Sequence, residues 1–263
     1  MPIDFSELTG KGVKVAVVDS GINHWHSHVG KIEGGVGLDI NESREIIFSE
    51  DIYDSIGHGT ACAGIIRTIA PNVQLYSIKI FWKRLVTYSE LLINAINWAI
   101  ENKMDIVNLS LGTHRKEHIS EIQKICNIAY QNKTIIVAAS MDNGSESYPA
   151  IFHNVIGVTA DTRCDEDAYF YCDKHKVHFF AYGFPRPLPG ILQEHNFRGS
   201  SFACAYITGI VARILEKYPF VDFEEVKRIL ISNSSNIRHC EEEDDPCTNK
   251  VMITKSVGGN ALI

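Results

Sequence analysis

Six short, uninterrupted apolar runs, spaced by segments of helical period, leave this chain few possible folds. They cover residues 14–19 (KVAVVD), 74–80 (QLYSIKI), 105–111 (DIVNLSL), 134–139 (TIIVAA), 155–159 (VIGVT) and 177–181 (VHFFA). A strand with one wet face alternates apolar and polar residues, so continuous runs suit strands covered on both faces, as in a parallel sheet. Between the runs, Leu91, Leu92, Ala95, Ile96, Ala99 and Ile100 recur at helix spacing behind Ser89, the expected cap, and Ile119, Ile122, Cys126 and Ala129 do the same. Asp222 followed by Glu225 reads as a capping box for a helix through Val226, Ile229 and Leu230. This order predicts an α/β fold, a three-layer α/β/α sandwich with a mostly parallel central sheet. No repeat or linker interrupts it, and 263 residues with 45% hydrophobic content suffice for one large core, so residues 1–263 are expected to form a single domain.

The formal net charge of −7 argues against nucleic acid and anionic membrane surfaces as partners. No apolar run approaches the roughly 18–20 residues of a membrane-spanning helix. The opening MPIDFSELTGKGVKVAVVD has no basic segment followed by an apolar one. A cytoplasmic location is therefore expected, with a secreted mature form as the alternative if a leader has been trimmed. Seven scattered cysteines suit a reducing compartment better than a complete disulfide framework. Cys240 and Cys247, which bracket the acidic run 241–245, are expected as free thiols. No cofactor is implied, and oligomeric state is not legible.

In folds of this kind ligands sit beyond the carboxyl ends of the strands. Asp19 closes the first run, with Gly21 allowing a sharp departure (VVDSGIN). His58 lies between Gly57 and Gly59 where an apolar helix opens (GHGTACAGII), and Ser201 starts a long apolar helix (RGSSFACAYITGIVARIL). Singly, each has an ordinary role as turn aspartate, helix-terminal histidine or N-cap serine. Jointly they supply the carboxylate, base and nucleophile of acyl transfer, in the chain order Asp, His, Ser. A nucleotide-binding reading lacks a glycine-rich phosphate loop after the first run.

These stretches resemble the subtilisin family: VVDSGI its aspartate motif, GHGTACAG its histidine motif, and GSSFACAYITG its serine motif, usually written GTSMAxPxVAG. YSIKI, INWAIENKMDIVNLSLG and VAAS followed by YPA resemble further family segments in the expected order, so the likeness runs over roughly the whole chain. It implies a subtilisin-like fold and a serine endopeptidase in which Asp19 orients the imidazole, His58 acts as base then acid, and Ser201 attacks the scissile carbonyl. It also implies a peptide or protein substrate laid as an added strand against Ser110, Leu111 and Gly112, one wall of the pocket for the residue before the cut. Leu85 and Val86, in FWKRLVT, match the opposite edge, where relatives commonly carry glycines; their bulk implies a narrower cleft. Lys83 and Arg84 beside them either attract acidic substrate residues or form an exposed basic turn.

The chain departs from the family pattern in several places. Subtilisins complete the oxyanion hole with an asparagine in a stretch like AAGN, whereas this chain reads AASMDNG. Direct alignment selects Asp142; a shift of one residue selects Asn143, the chemically better donor. GIIRTIAPNVQLYS passes straight from the histidine helix to the next strand, so the family's calcium loop is expected to be absent. Cys164, Cys172, His175 and His178 match no compact zinc spacing, and no metal is expected. Ala205 and Tyr206 stand where the serine helix usually has proline and histidine. The leading expectation is a dedicated processing protease for a precursor peptide; a catalytically silent peptide binder and a transpeptidase are the alternatives.

Overall fold

The computed structural model describes residues 4–141, 146–187, 192 and 195–235. In chain order the strands are β1 (Lys14–Asp19), β2 (Gly34–Ile40), β3 (Ile46–Ser49), β4 (Gln74–Lys79), β5 (Ile106–Leu109), β6 (Ile135–Ala139), β7 (Ile156–Ala160), β8 (Tyr169–Tyr171) and β9 (Phe179–Ala181). The helices are α1 (His58–Ile69), α2 (Ser89–Glu101), α3 (Ile119–Gln131), α4 (Ser200–Lys217) and α5 (Phe223–Asn233). The strands form one sheet of nine in the order β3-β2-β4-β1-β5-β6-β7-β9-β8. Pairing is parallel except at the two edges, where β3 runs antiparallel to β2 and β8 antiparallel to β9.

The layers follow from side-chain alternation along the buried strands. Val15 and Val17 of β1, Ile106 of β5 and Val137 of β6 pack against α1, α4 and α5. Their chain neighbours Ala16, Val18, Val107 and Ala138 pack against α2 and α3 on the other face. The expected α/β/α sandwich is the fold observed. Among the described residues no helix is long and apolar enough to cross a membrane.

Three strands escape the sequence pattern. β2 reads GGVGLDI, and glycine-rich segments score poorly as strands, yet here close approach requires glycine. A Cβ built at Gly35 would lie 2.0 Å from the Ser77 carbonyl oxygen of neighbouring β4. β3 and β8, of four and three residues, are too short to show a period. Ser89 is corrected as a cap: it is the first residue of α2, and the preceding Tyr88 is the N-cap, without a side-chain hydrogen bond. The capping box at α5 forms as expected, Asp222 accepting from the Glu225 N–H at 2.9 Å. Cys62, Cys126, Cys164 and Cys204 are buried free thiols, whereas Cys172 is disulfide-bonded, a pairing its spacing does not announce. Cys240 and Cys247 lie outside the described residues.

Gly35→Ala is expected to destabilise the protein by about 1–3 kcal/mol, the usual cost of overpacking a rigid site. Urea unfolding of the purified variant against the parent checks this.

Candidate active site

Asp19 shares the face of β1 that carries Val15 and Val17, so its side chain points toward α1 and α4. β4 and β5 flank β1 on opposite sides, which puts Asp19 at a carboxyl-end crevice of the kind where α/β sheets bind ligands. It is fully buried. Both carboxylate oxygens lie 2.9 Å from Nδ1 of His58, and Oδ1 also accepts the Ser20 N–H at 2.7 Å. A carboxylate can only accept, so the proton of this contact sits on Nδ1, and the lone pair of the neutral ring is on Nε2.

Two glycines make the approach of His58 possible. Gly57, the N-cap of α1, holds φ at 94°, where a side chain is strained. A Cβ on Gly59 would lie 2.2 Å from the Gly21 carbonyl oxygen and 3.0 Å from the Asp19 Cβ. Sequence reasoning missed the residue that shapes this entry, Asp54. Its buried carboxylate accepts five hydrogen bonds: from the Ser20 hydroxyl, the Ile56, Gly57 and Thr60 N–H groups, and the Thr60 hydroxyl. The Ser20 hydroxyl in turn accepts the Gly59 N–H at 3.0 Å, tying the end of β1 to the start of α1. An aspartate just before a glycine-flanked helix start was the available signal.

Ser201 lies in the first turn of α4, behind the N-cap Gly199. Its hydroxyl donates to the Ser110 carbonyl at 2.9 Å. Around it, rings of Phe202 and Phe197 stand 5.2 and 5.7 Å from the His58 ring. Below, the Asn108 amide donates to the Ser110 hydroxyl at 2.7 Å, and Thr208 donates to the Asn108 oxygen at 2.9 Å. The Ser110 hydroxyl also reaches Cys62 Sγ at 3.3 Å. Asp19, His58, Ser201 and Ser110 thus gather where α1, α4 and β5 meet.

Cys62 lies one turn beyond His58. Burial, and then the charge of Asp19, push its thiol well above the ordinary range, so it is a neutral packing group. Donor atoms of Asp19, His58 and Cys62 lie within 4.8 Å of one another, the only metal-compatible group among the described residues. Here the carboxylate and imidazole already satisfy each other.

The other sequence-selected residues are placed as follows. Ser110, Leu111 and Gly112 are buried directly after β5, and Leu111 joins the core beneath α2 and α3. Gly112 has no room for a Cβ, which would lie 2.2 Å from Ser147 Oγ. Beyond it, Thr113 pairs antiparallel with Tyr148. Leu85 packs half-buried against the core, Val86 is 59% exposed, and residues 82–85 form bends rather than a strand. Lys83 and Arg84 are exposed. Asp142 and Asn143 lie outside the described residues. Cys172, being disulfide-bonded, is no metal ligand, and His178 precedes β9 half-buried.

Residues 10–258 match the family model described as the subtilase family. The chain belongs to the subtilase family. Minor extracellular protease Epr of Bacillus subtilis is 35% identical over 67% of this chain, and the chain spans 27% of that longer protein. Subtilisin DY of Bacillus licheniformis is 29% identical over 87% of the chain and 85% of its own length. A cold-adapted subtilisin-like serine proteinase superposes over 100% of this chain and 93% of its own, with TM-score 0.70 and 20% identity. A lanthipeptide protease does so over 83% of this subtilase and 78% of its own chain, with TM-score 0.63 and 18% identity. These two establish the likeness of fold. The family match and the aligned subtilisins support a serine endopeptidase domain.

Asp54→Ala would leave buried donors of the α1 entry unmet, and a loss of about 3 kcal/mol or more in unfolding free energy is expected. Chemical denaturation measures it. Native protein treated with iodoacetamide at pH 8 should stay unmodified at Cys62, Cys126 and Cys204, and unfolded protein should label at all three, as read by peptide mass spectrometry.

Proposed function

We propose that this subtilase hydrolyses peptide bonds with Asp19, His58 and Ser201. The observation that carries the reading is the Asp19–His58 contact, two 2.9 Å approaches with both groups buried, beside the first turn of α4, which carries Ser201. For attack, the Ser201 hydroxyl must pass its proton to Nε2 of His58 and give up its bond to the Ser110 carbonyl. Nε2 accepts the proton as Oγ attacks the scissile carbonyl carbon. The tetrahedral oxyanion is met by the Ser201 backbone N–H at the positive end of α4, with the Asn143 amide, or Asp142 in its protonated form, supplying a second donor. The C–N bond then breaks as imidazolium protonates the departing amine, leaving an ester on Ser201. Water, deprotonated by His58, hydrolyses the ester and restores the hydroxyl.

The substrate is proposed to be a peptide or protein segment lying extended along Ser110–Gly112. Val86 is exposed, and the family likeness sets it on the edge opposite Ser110–Gly112; its bulk there supports a narrow tolerance upstream of the cut and hence the finer proposal of a processing protease that removes the leader of a precursor peptide. For the setting, the four buried free thiols favour the cytoplasm, whereas the disulfide at Cys172 favours an oxidising compartment and the secreted alternative. The Ser201–Ser110 hydrogen bond favours one other reading, a catalytically silent peptide binder with its hydroxyl parked on the backbone.

A fluorophosphonate probe separates the two: labelling of the parent that is lost in Ser201→Ala supports the enzyme, and no labelling of folded parent supports the binder. Ser201→Ala and His58→Ala are each expected to lower kcat by about 10⁶, a magnitude carried over from subtilisin itself. Alanine at whichever of Asp142 and Asn143 serves the oxyanion should cost about 10²–10³ in kcat, again the value for subtilisin. Cleavage of a peptide library, read by mass spectrometry, tests the narrow tolerance; broad acceptance upstream of the cut removes the processing proposal.

A further inference from the structure

A cavity of about 230 Å³ runs along the outer face of α1, between the loop that carries the HWHSH sequence and the segment leading to Ser201. Gly64 and Ile65 of α1 line it, whereas Cys62 on the same helix faces Ser110. The helix therefore separates the cavity from the Ser110–Gly112 wall. Gly57, the residue before His58, also lines the cavity. So does Phe197, whose ring meets the His58 ring edge-on at 5.7 Å. The cavity thus lies one aromatic ring from the imidazole, on the side opposite the acyl half of a substrate. With the acyl half laid along Ser110–Gly112 as proposed above, the amine half would leave on this side of His58.

The rest of the lining has a definite charge. His26, His28 and Arg186 stand around the cavity. Asp54 is the carboxylate among its lining residues, and its five donors already occupy it. The His26 and His28 rings meet edge-on at 4.9 Å. His26 Nδ1 accepts the His28 backbone N–H at 3.3 Å, which puts the proton of neutral His26 on Nε2 and makes that atom a donor. Arg186 is exposed, and among the described residues no carboxylate forms an ion pair with it. Burial, then the charges of Arg186 and His26, disfavour protonation of His28. The Arg186 guanidinium and the His26 Nε2–H donor at the rim, above the apolar floor of Ile65 and Phe197, together match a carboxylate on a short hydrocarbon stem.

We propose that this cavity is a subsite for the leaving-group side of the substrate, selecting a carboxylate there, either a glutamate side chain or the substrate's own C-terminal carboxylate. The proposal rests on the protease reading. Guanidinium–carboxylate pairing supplies the selection, and Ile65 and Phe197 hold the stem.

The test uses peptides cut at one bond established by library cleavage, identical before the cut. After it they carry glutamate, glutamine or lysine at each of the first three positions, each with a free or an amidated C-terminus. Glutamate at one position, or the free terminus, is expected to raise kcat/KM about fivefold over its uncharged counterpart, the scale of a partly exposed ion pair. In Arg186→Gln that ratio should fall to about one, and Arg186→Lys should keep most of it. The two kinds of peptide tell side chain from terminus. A ratio near one in the parent, or an undiminished ratio in Arg186→Gln, overturns the subsite. If no peptide is cut, the protease reading falls, and equilibrium binding of the same peptides decides the cavity. Tighter binding of the carboxylate form, lost in Arg186→Gln, sustains the site, and equal binding refutes it.

Discussion

A carboxylate placed with no exposed surface beneath three layers of structure must be given hydrogen-bond donors, and meeting that demand organises the middle of this protein. Asp19 obtains them from His58 and from the Ser20 N–H, and its own carbonyl accepts the Ile80 and Phe81 N–H groups. For the ring to arrive, α1 must begin within hydrogen-bonding distance of the end of β1. That forces glycine at 59, a left-handed turn at 57, and a second buried carboxylate, Asp54, to collect the N–H groups that the turn leaves over. One buried charge thus recruits another, and together they fix where the helix starts.

A second buried polar chain does for Ser201 what Asp54 does for His58. Thr208 and Cys204 of α4 both donate to Asn108, which donates to Ser110, whose carbonyl receives the Ser201 hydroxyl. Each member is satisfied by a neighbour on another element, so the network holds α4 in register against β5 as well as filling space. Fully paired buried networks of this kind limit how elements can slide past one another, the condition for bringing distant side chains together reproducibly.

Much of this was legible in the chain alone. The continuous runs gave the buried strands, and Asp19, His58 and Ser201 stood out because each sits at an element end beside a glycine or a small residue. What stayed hidden has physical reasons. β2 owes its glycines to the approach of the Ser77 carbonyl, and a composition that normally argues against a strand there marks a tightly packed one. Asp54 and Asn108 look like ordinary polar residues until the partners that bury them, dozens of positions away, are folded into place. The disulfide at Cys172 is likewise invisible to spacing.

The two-sidedness of α1 has a consequence for how such a protein can diverge. Its inward residues are pinned by charge, hydrogen bonding and dense packing, so nearly any exchange there disturbs the reaction centre. Past Thr60, the outward residues Gly64, Ile65 and Thr68 border the histidine-bearing loop and the approach to α4. A lineage could rework that outer surface, altering which product fragment is tolerated, while the chemistry on the other side of the helix went on undisturbed.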